Sequence, residues 1–145
     1  MYDYIANDQE ENRQQDLIHK LEQTINGEYS AILCYEKLAR MAPNETERKQ
    51  ILEIREDEMK HFQVFSQIYI NLTGYQPTPK VTETCPDSYK AGLEFALVDE
   101  QKTVDFYLET ADGAADRSVR KAFRRAAADE QNHAVWFLYY MVKNK

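Results

Sequence analysis

Residues of this chain recur, unchanged in type, 72 positions later, among them Glu28 and Glu100, Tyr35 and Tyr107, Ala39 and Ala111, Asp57 and Asp129, Glu58 and Glu130, His61 and His133, Phe65 and Phe137. The chain therefore reads as two copies of one unit. In the first copy Glu28 and Glu58 stand fifteen positions to either side of Pro43, and in the second Glu100 and Glu130 stand fifteen to either side of Ala115. If each unit is a helical hairpin turning at those residues, its two glutamates lie at one level, about 22 Å from the turn at about 1.5 Å per residue.

The apolar pattern supports hairpins of helices. Leu17, Leu21, Ile25, Glu28, Ile32, Tyr35 and Ala39 alternate steps of three and four, as do Ile51, Ile54, Glu58, His61, Phe65, Ile68 and Leu72. The second half repeats the pattern with Leu93, Leu97, Glu100, Val104, Tyr107 and Ala111, then with Val119, Phe123, Ala126, Glu130, His133, Phe137 and Tyr140. Every stripe is interrupted by glutamate, and two of them also by histidine. Local signals punctuate four segments: about Asp8 to Met41; Asn44, a capping pair with Glu47, to Gly74; Asp87, a cap for the third, to "ADGAAD"; and about Asp116 to the last residues. Residues 74–86, "GYQPTPKVTETCP", contain three prolines and no period, and read as a connection.

Composition narrows the functional classes. A chain of 145 residues suits a single domain spanning 1–145 with a real core, and only four Gly and four Pro favour helix. A formal charge of −7 argues against nucleic-acid or anionic-membrane partners, and no stretch approaches a membrane span. The acidic N-terminus does not read as a signal peptide. Cys34 and Cys85 form neither a C-x-x-C pair nor a framework, so free thiols in a reducing cytoplasm are expected, with Cys34 a small buried hydrophobe.

Four carboxylates at one level of an apolar core cannot all stay ionised unaided, because desolvation and mutual repulsion both favour protonation. Two divalent cations would balance four negative charges. The Glu-x-x-His spacing of Glu58 with His61 and of Glu130 with His133 puts both side chains on one helix face, one turn apart. A carboxylate-rich shell with one imidazole per ion suits iron or manganese better than structural zinc. Asp57 and Asp129 sit just off the stripe, where a metal-bound imidazole needs an acceptor for its second N–H. Tyr35 and Tyr107 are equally well read as core aromatics or as phenols hydrogen-bonded to a glutamate. Met59 and His19 read as surface residues, and nothing in the sequence explains Gly27 within a helix.

The segments "NGEYSAILCYEKLA", "DEMKH", "DEQKTVDFYLETA" and "ADEQNHAVWF" resemble the four signature segments of the ferritin-like di-iron carboxylate proteins, over about residues 15–140. The resemblance implies an all-α, ferritin-like four-helix bundle, up-down-down-up, with a long crossover between helices 2 and 3. It implies two iron ions per chain, with manganese possible, held by Glu28, Glu58, His61, Glu100, Glu130 and His133, Glu58 and Glu130 bridging. The assignment of the terminal ligands to each ion stays open, and Tyr35, Asp57, Tyr107 and Asp129 stand behind the ligands.

Within that superfamily the chain looks most like rubrerythrin-type proteins, with two departures. It carries no rubredoxin-like C-x-x-C pairs, and Thr103 stands where an additional helix 3 glutamate is common. The implied activity is reduction of H2O2 or O2, with electrons from an external electron donor, by a homodimer. A non-catalytic iron-binding protein and a manganese catalase are the alternatives.

Overall fold

The computed structural model describes the chain from Tyr2 to Lys145, with side chains from Ile5 onward. Four helices account for most of it: α1 (Tyr2–Met41), α2 (Glu45–Thr73), α3 (Tyr89–Gly113) and α4 (Arg117–Lys143). No strand occurs among the described residues. No helix among them is long and apolar enough to cross a membrane.

Caps fix the helix ends. Asn44 accepts from the Glu47 backbone N–H at 2.9 Å while its amide donates to the Glu47 carboxylate at 2.8 Å, the reciprocal arrangement the sequence suggests. Gly74 closes α2 with φ of 77°, a left-handed conformation that a side chain would strain. Asp116 caps α4 through the N–H groups of Ser118 and Val119. Two boundaries differ from the sequence expectation. The cap of α3 is Ser88, whose hydroxyl accepts from the Ala91 N–H at 3.2 Å, because Asp87 is drawn instead to Lys37 at 2.5 Å. The first helix begins at Tyr2 rather than near Asp8: its opening turns lack an apolar stripe but contain no Pro or Gly to stop them.

In cross-section α1 packs on α2 and α3, and α4 packs on α3 and α2, so that α1 lies diagonal to α4 and α2 to α3. Glu47 fixes the directions. Its Oε1 accepts from the Tyr89 hydroxyl at 2.8 Å and from the Asn144 amide at 2.7 Å, which puts the start of α2, the start of α3 and the end of α4 at one end of the bundle. The order is therefore up-down-down-up, and the connection between α2 and α3 must run the full length.

It does so along α1. The Lys80 N–H donates to Asn26 Oδ1 at 2.9 Å, the Thr82 N–H to Ser30 Oγ at 3.0 Å, and Asp87 reaches Lys37. Between the last two contacts Cys85 is disulfide-bonded to Cys34, with Cα atoms 5.3 Å apart. The expectation of two free thiols is corrected here: sequence spacing does not show that the crossover brings position 85 against position 34.

The apolar core falls into two blocks. One, around Leu38, Ile51, Ile54, Leu93 and Phe137, fills the end near Glu47. The other, around Leu21, Ile25, Phe65, Tyr107 and Phe123, fills the opposite end. The 72-residue repeat exchanges the blocks, since Phe65 lies in one and its counterpart Phe137 in the other. A twofold relation perpendicular to the bundle follows, and its centre lies in the gap between the blocks.

Candidate metal centre

That gap is polar. Glu28 from α1, Glu58 and His61 from α2, Glu100 from α3, and Glu130 and His133 from α4 are all buried within it. Their donor atoms fall into two groups, Glu28–Glu58–His61–Glu130 and Glu58–Glu100–Glu130–His133, with the atoms of each group within 4.8 Å of one another. Glu58 and Glu130 belong to both groups. Glu28 goes with His61 and Glu100 with His133, a pairing that helix periodicity alone left open.

Around this set the two halves of the chain exchange partners. The Tyr107 hydroxyl donates to Glu28 Oε1, and the Tyr35 hydroxyl donates to Glu100 Oε1 at 2.5 Å. His61 Nε2 donates to Asp129 at 2.8 Å, and His133 Nε2 to Asp57 at 2.8 Å. A carboxylate can only accept, so each imidazole is oriented with Nδ1 facing the centre. Both tyrosines are also core aromatics: Tyr35 packs on Phe137 and Tyr107 on Phe65, with ring centroids 5.1 and 5.5 Å apart. The two readings of these phenols are thus compatible.

What remains is a set of donors without hydrogen-bond partners. Glu28 Oε2, Glu58 Oε1, Glu100 Oε2, Glu130 Oε1, His61 Nδ1 and His133 Nδ1 are all buried and unpaired. The imidazole nitrogens come close to carboxylate oxygens, His61 Nδ1 lying 3.1 Å from Glu130 and His133 Nδ1 3.2 Å from Glu58, but off the hydrogen-bond direction. Buried polar atoms are rarely left unpaired, and six in one place, two belonging to each group alone and two shared between them, suit metal ions in a way that a hydrogen-bonded cluster would not. These residues could hold metal.

Without metal the cluster must share protons. Burial, with Glu58 next, raises Glu28 well above the usual carboxylate range, and the same causes in the same order raise Glu100. Burial, then Glu100 and Glu58, raises Glu130 strongly. Glu58 goes the other way: burial favours its neutral form, but His133 and His61 outweigh it and keep its pKa low. Burial also opposes charge on the imidazoles, yet Glu28 and Glu58 lift His61 to about 11, and Glu100 and Glu58 lift His133 to about 11. In the metal-free centre burial and mutual repulsion thus favour the neutral forms of Glu28, Glu100 and Glu130, while the two imidazoles favour charge on Glu58.

Other sequence readings find their places. His19 and Met59 are exposed, Met59 lying 3.7 Å from the Arg55 guanidinium. Sequence reasoning missed Asp99, which is half-buried on α3 beside Glu100; burial and then Glu83 of the crossover push it up to about 8. The available signal was the repeat, in which Asp99 corresponds to Gly27.

No protein-family model matches the chain. A protein of Bacillus subtilis (strain 168), the uncharacterized protein YhjR, is 53% identical over 127 residues, covering 88% of this chain and 88% of its own. Among solved structures, a Bacillus anthracis (strain Ames) protein described as ferritin like, diiron-carboxylate superposes with a TM-score of 0.80 at 22% identity, over 89% of this chain and 97% of that one. A hypothetical protein from Pyrococcus furiosus gives a TM-score of 0.75 at 19% identity, over 86% and 87% of the two chains. At these identities the likeness is one of fold, and the fold is the ferritin-like four-helix bundle.

Proposed function

The chain belongs to the family of the Bacillus subtilis protein YhjR, and from that premise and its buried cluster we propose a non-haem di-iron oxidoreductase that reduces peroxide or dioxygen with electrons from a separate donor. The observation that carries the reading is the set of six unpaired donor atoms divided into two groups that share Glu58 and Glu130. Iron is favoured by the donor set, rich in carboxylates with one imidazole per group, and by the description of the Bacillus anthracis fold relative. A pair of adjacent irons supplies two electrons together to a bound oxidant.

The chain's own residues prepare that chemistry. Glu58 and Glu130, which belong to both groups, would serve both ions, with Glu28 and His61 holding one and Glu100 and His133 the other. Tyr107 and Tyr35 fix one oxygen of each terminal glutamate and leave the other free. Asp129 and Asp57 set the imidazole tautomers and raise the basicity of Nδ1. The apolar blocks above and below exclude bulk water. Self-association as a homodimer is part of the proposal, supported by an exposed apolar run on α4 comprising Val135, Leu138, Tyr139 and Val142.

Anaerobic reconstitution with Fe(II), elemental analysis and stopped-flow mixing with H2O2 and with O2 test the reading. Two irons per chain and oxidation that is fast with at least one of the two oxidants are expected. A maximum of one iron per chain sinks the dinuclear site; two irons with no turnover leave an iron-binding protein and sink the enzyme.

A further inference from the structure

The two long faces of the bundle on which the repeat axis opens are not equivalent. Between α2 and α4 a surface hollow lined by His61, Val64, Phe65, Ser118, Lys121 and Arg125 reaches no glutamate of the centre. On that side the imidazoles are closed over by Asp129 and Asp57. Between α1 and α3 a cavity of about 60 Å³ is lined by Glu28, Glu58 and Glu130 at its floor and by Gln23, Gly27 and Thr103 nearer the surface. This volume exceeds what a single water needs. Glu28, 2% exposed and with its Oε2 unpaired, is among the lining residues.

Gly27 accounts for the opening. A Cβ built there meets nothing within 4 Å, so the position faces empty space rather than a crowded neighbour. No close packing and no left-handed backbone requires glycine, although glycine inside a helix costs stability. The repeat supplies the contrast. Asp99 is the counterpart of Gly27, and Thr103 is the counterpart of Ala31, and all four line this one cavity across the twofold. An exact repeat would set a second aspartate at position 27, opposite Asp99, and fill the mouth with two carboxylates.

We propose that the gap at Gly27 is the passage by which small oxidants and anions reach the metal centre, and that the missing side chain sets its size limit. The inference rests on the di-metal reading above. Water-sized molecules such as peroxide and dioxygen pass between Gly27 and Thr103 to the Glu28–Glu58–Glu130 floor, while larger reductants are held outside and must deliver electrons through the protein.

The test uses Co(II) as the metal and azide as the probe anion, both followed by Co(II) absorption, in wild type, Gly27→Leu, Thr103→Leu and, on the opposite face, Val64→Leu. All are expected to take up two Co(II) at equilibrium. Azide association should slow by about tenfold or more in Gly27→Leu and Thr103→Leu, because passage then waits on side-chain and helix motion, and stay at the wild-type rate in Val64→Leu. Should Gly27→Leu fail to fold, Thr103→Leu decides. Wild-type rates in the folded plugging variants, or equal slowing by Val64→Leu, overturn the passage and leave the metal centre standing. Failure of wild type to take up Co(II) overturns both.

Discussion

Glu58 and Glu130 occupy equivalent positions in the repeat, yet the structure predicts that their amides behave differently in metal-free protein. Glu58 Oε1 lies 3.4 Å from His61 Nδ1 and 3.2 Å from His133 Nδ1, and it is the carboxylate whose charge balances two buried imidazolium ions. Glu58→Gln removes that charge. Breaking a buried ion pair from one side costs about 3–5 kcal/mol when nothing replaces the lost partner. Here Glu130 stands 3.1 Å and Glu28 3.5 Å from His61, and Glu100 stands 3.6 Å from His133, so neighbouring carboxyls can give up protons and take over part of the role. The expected loss is therefore about 2–4 kcal/mol. At about 2–4 °C per kcal/mol for a chain of this length, the melting temperature falls by about 5–15 °C. Burial, then Glu100 and Glu58, favours the neutral form of Glu130, so the neutral amide of Glu130→Gln is expected to change stability by less than about 1 kcal/mol. Urea unfolding of chelator-treated proteins near pH 6.5, followed by far-UV circular dichroism, measures both. Equal losses in the two variants, or no loss in Glu58→Gln, would refute this distribution of protons. Neither variant should retain two ions after reconstitution.

The same protons give the metal-free protein a pH dependence of definite sign. His61 and His133 titrate near 11 when folded and near about 6.5 when unfolded, so their contribution is complete below about 6.5 and is lost as pH rises towards about 11. The raised carboxyls Glu28, Glu100 and Glu130 act in the same direction, since the native state holds protons that the unfolded state releases. Melting of metal-free protein should therefore be lower at pH 9 than at pH 6, whereas metal affinity should rise with pH; titration calorimetry in buffers of different ionisation enthalpy should detect protons released on binding. Gly27→Ala should stabilise the fold by about 0.5–1 kcal/mol in urea unfolding, because the new methyl meets no neighbour and the helix gains propensity. Reducing the Cys34–Cys85 bond, which closes a sequence separation of 51, should lower unfolding stability by about 2–4 kcal/mol, read by comparing chemical denaturation with and without a thiol reductant.

The parts of this molecule that follow from position along a single helix were legible in the sequence. The buried faces, the Asn44–Glu47 cap, the Gly74 stop and the gathering of the six Glu and His side chains at one level depend on helical period and on distance from a turn, which the repeat measures twice. The long crossover, implied by the family resemblance, also agrees with length, since thirteen extended residues span at most about 43–47 Å and helix 2 is about 44 Å long. Features that depend on which helices become neighbours were not legible. Nothing local tells Asp57 that its imidazole is His133 rather than His61, or Tyr35 that its carboxylate is Glu100 rather than Glu28. The disulfide was hidden for the same reason, because residue 85 meets residue 34 only through the path of the strap along α1. Gly27 was opaque in another way, its meaning lying in an empty volume bounded by two helices.

The exchange of partners across the twofold bears on how the centre is made and unmade. The first hairpin alone carries Glu28, Glu58 and His61, three donors of one group, but Tyr107 and Asp129, which orient two of them, arrive with the second hairpin. The second hairpin depends on the first in the same way through Tyr35 and Asp57. Each half thus carries three of the four residues of one candidate group, and the opposite half carries the fourth and the side chains that orient two of them. On the di-metal reading, three donors of one group are together before the halves dock but the groups that orient them are not, so release of metal from the finished protein would report on separation of the hairpins. On that reading, damage confined to one half would be felt at the ion whose terminal residues the other supplies.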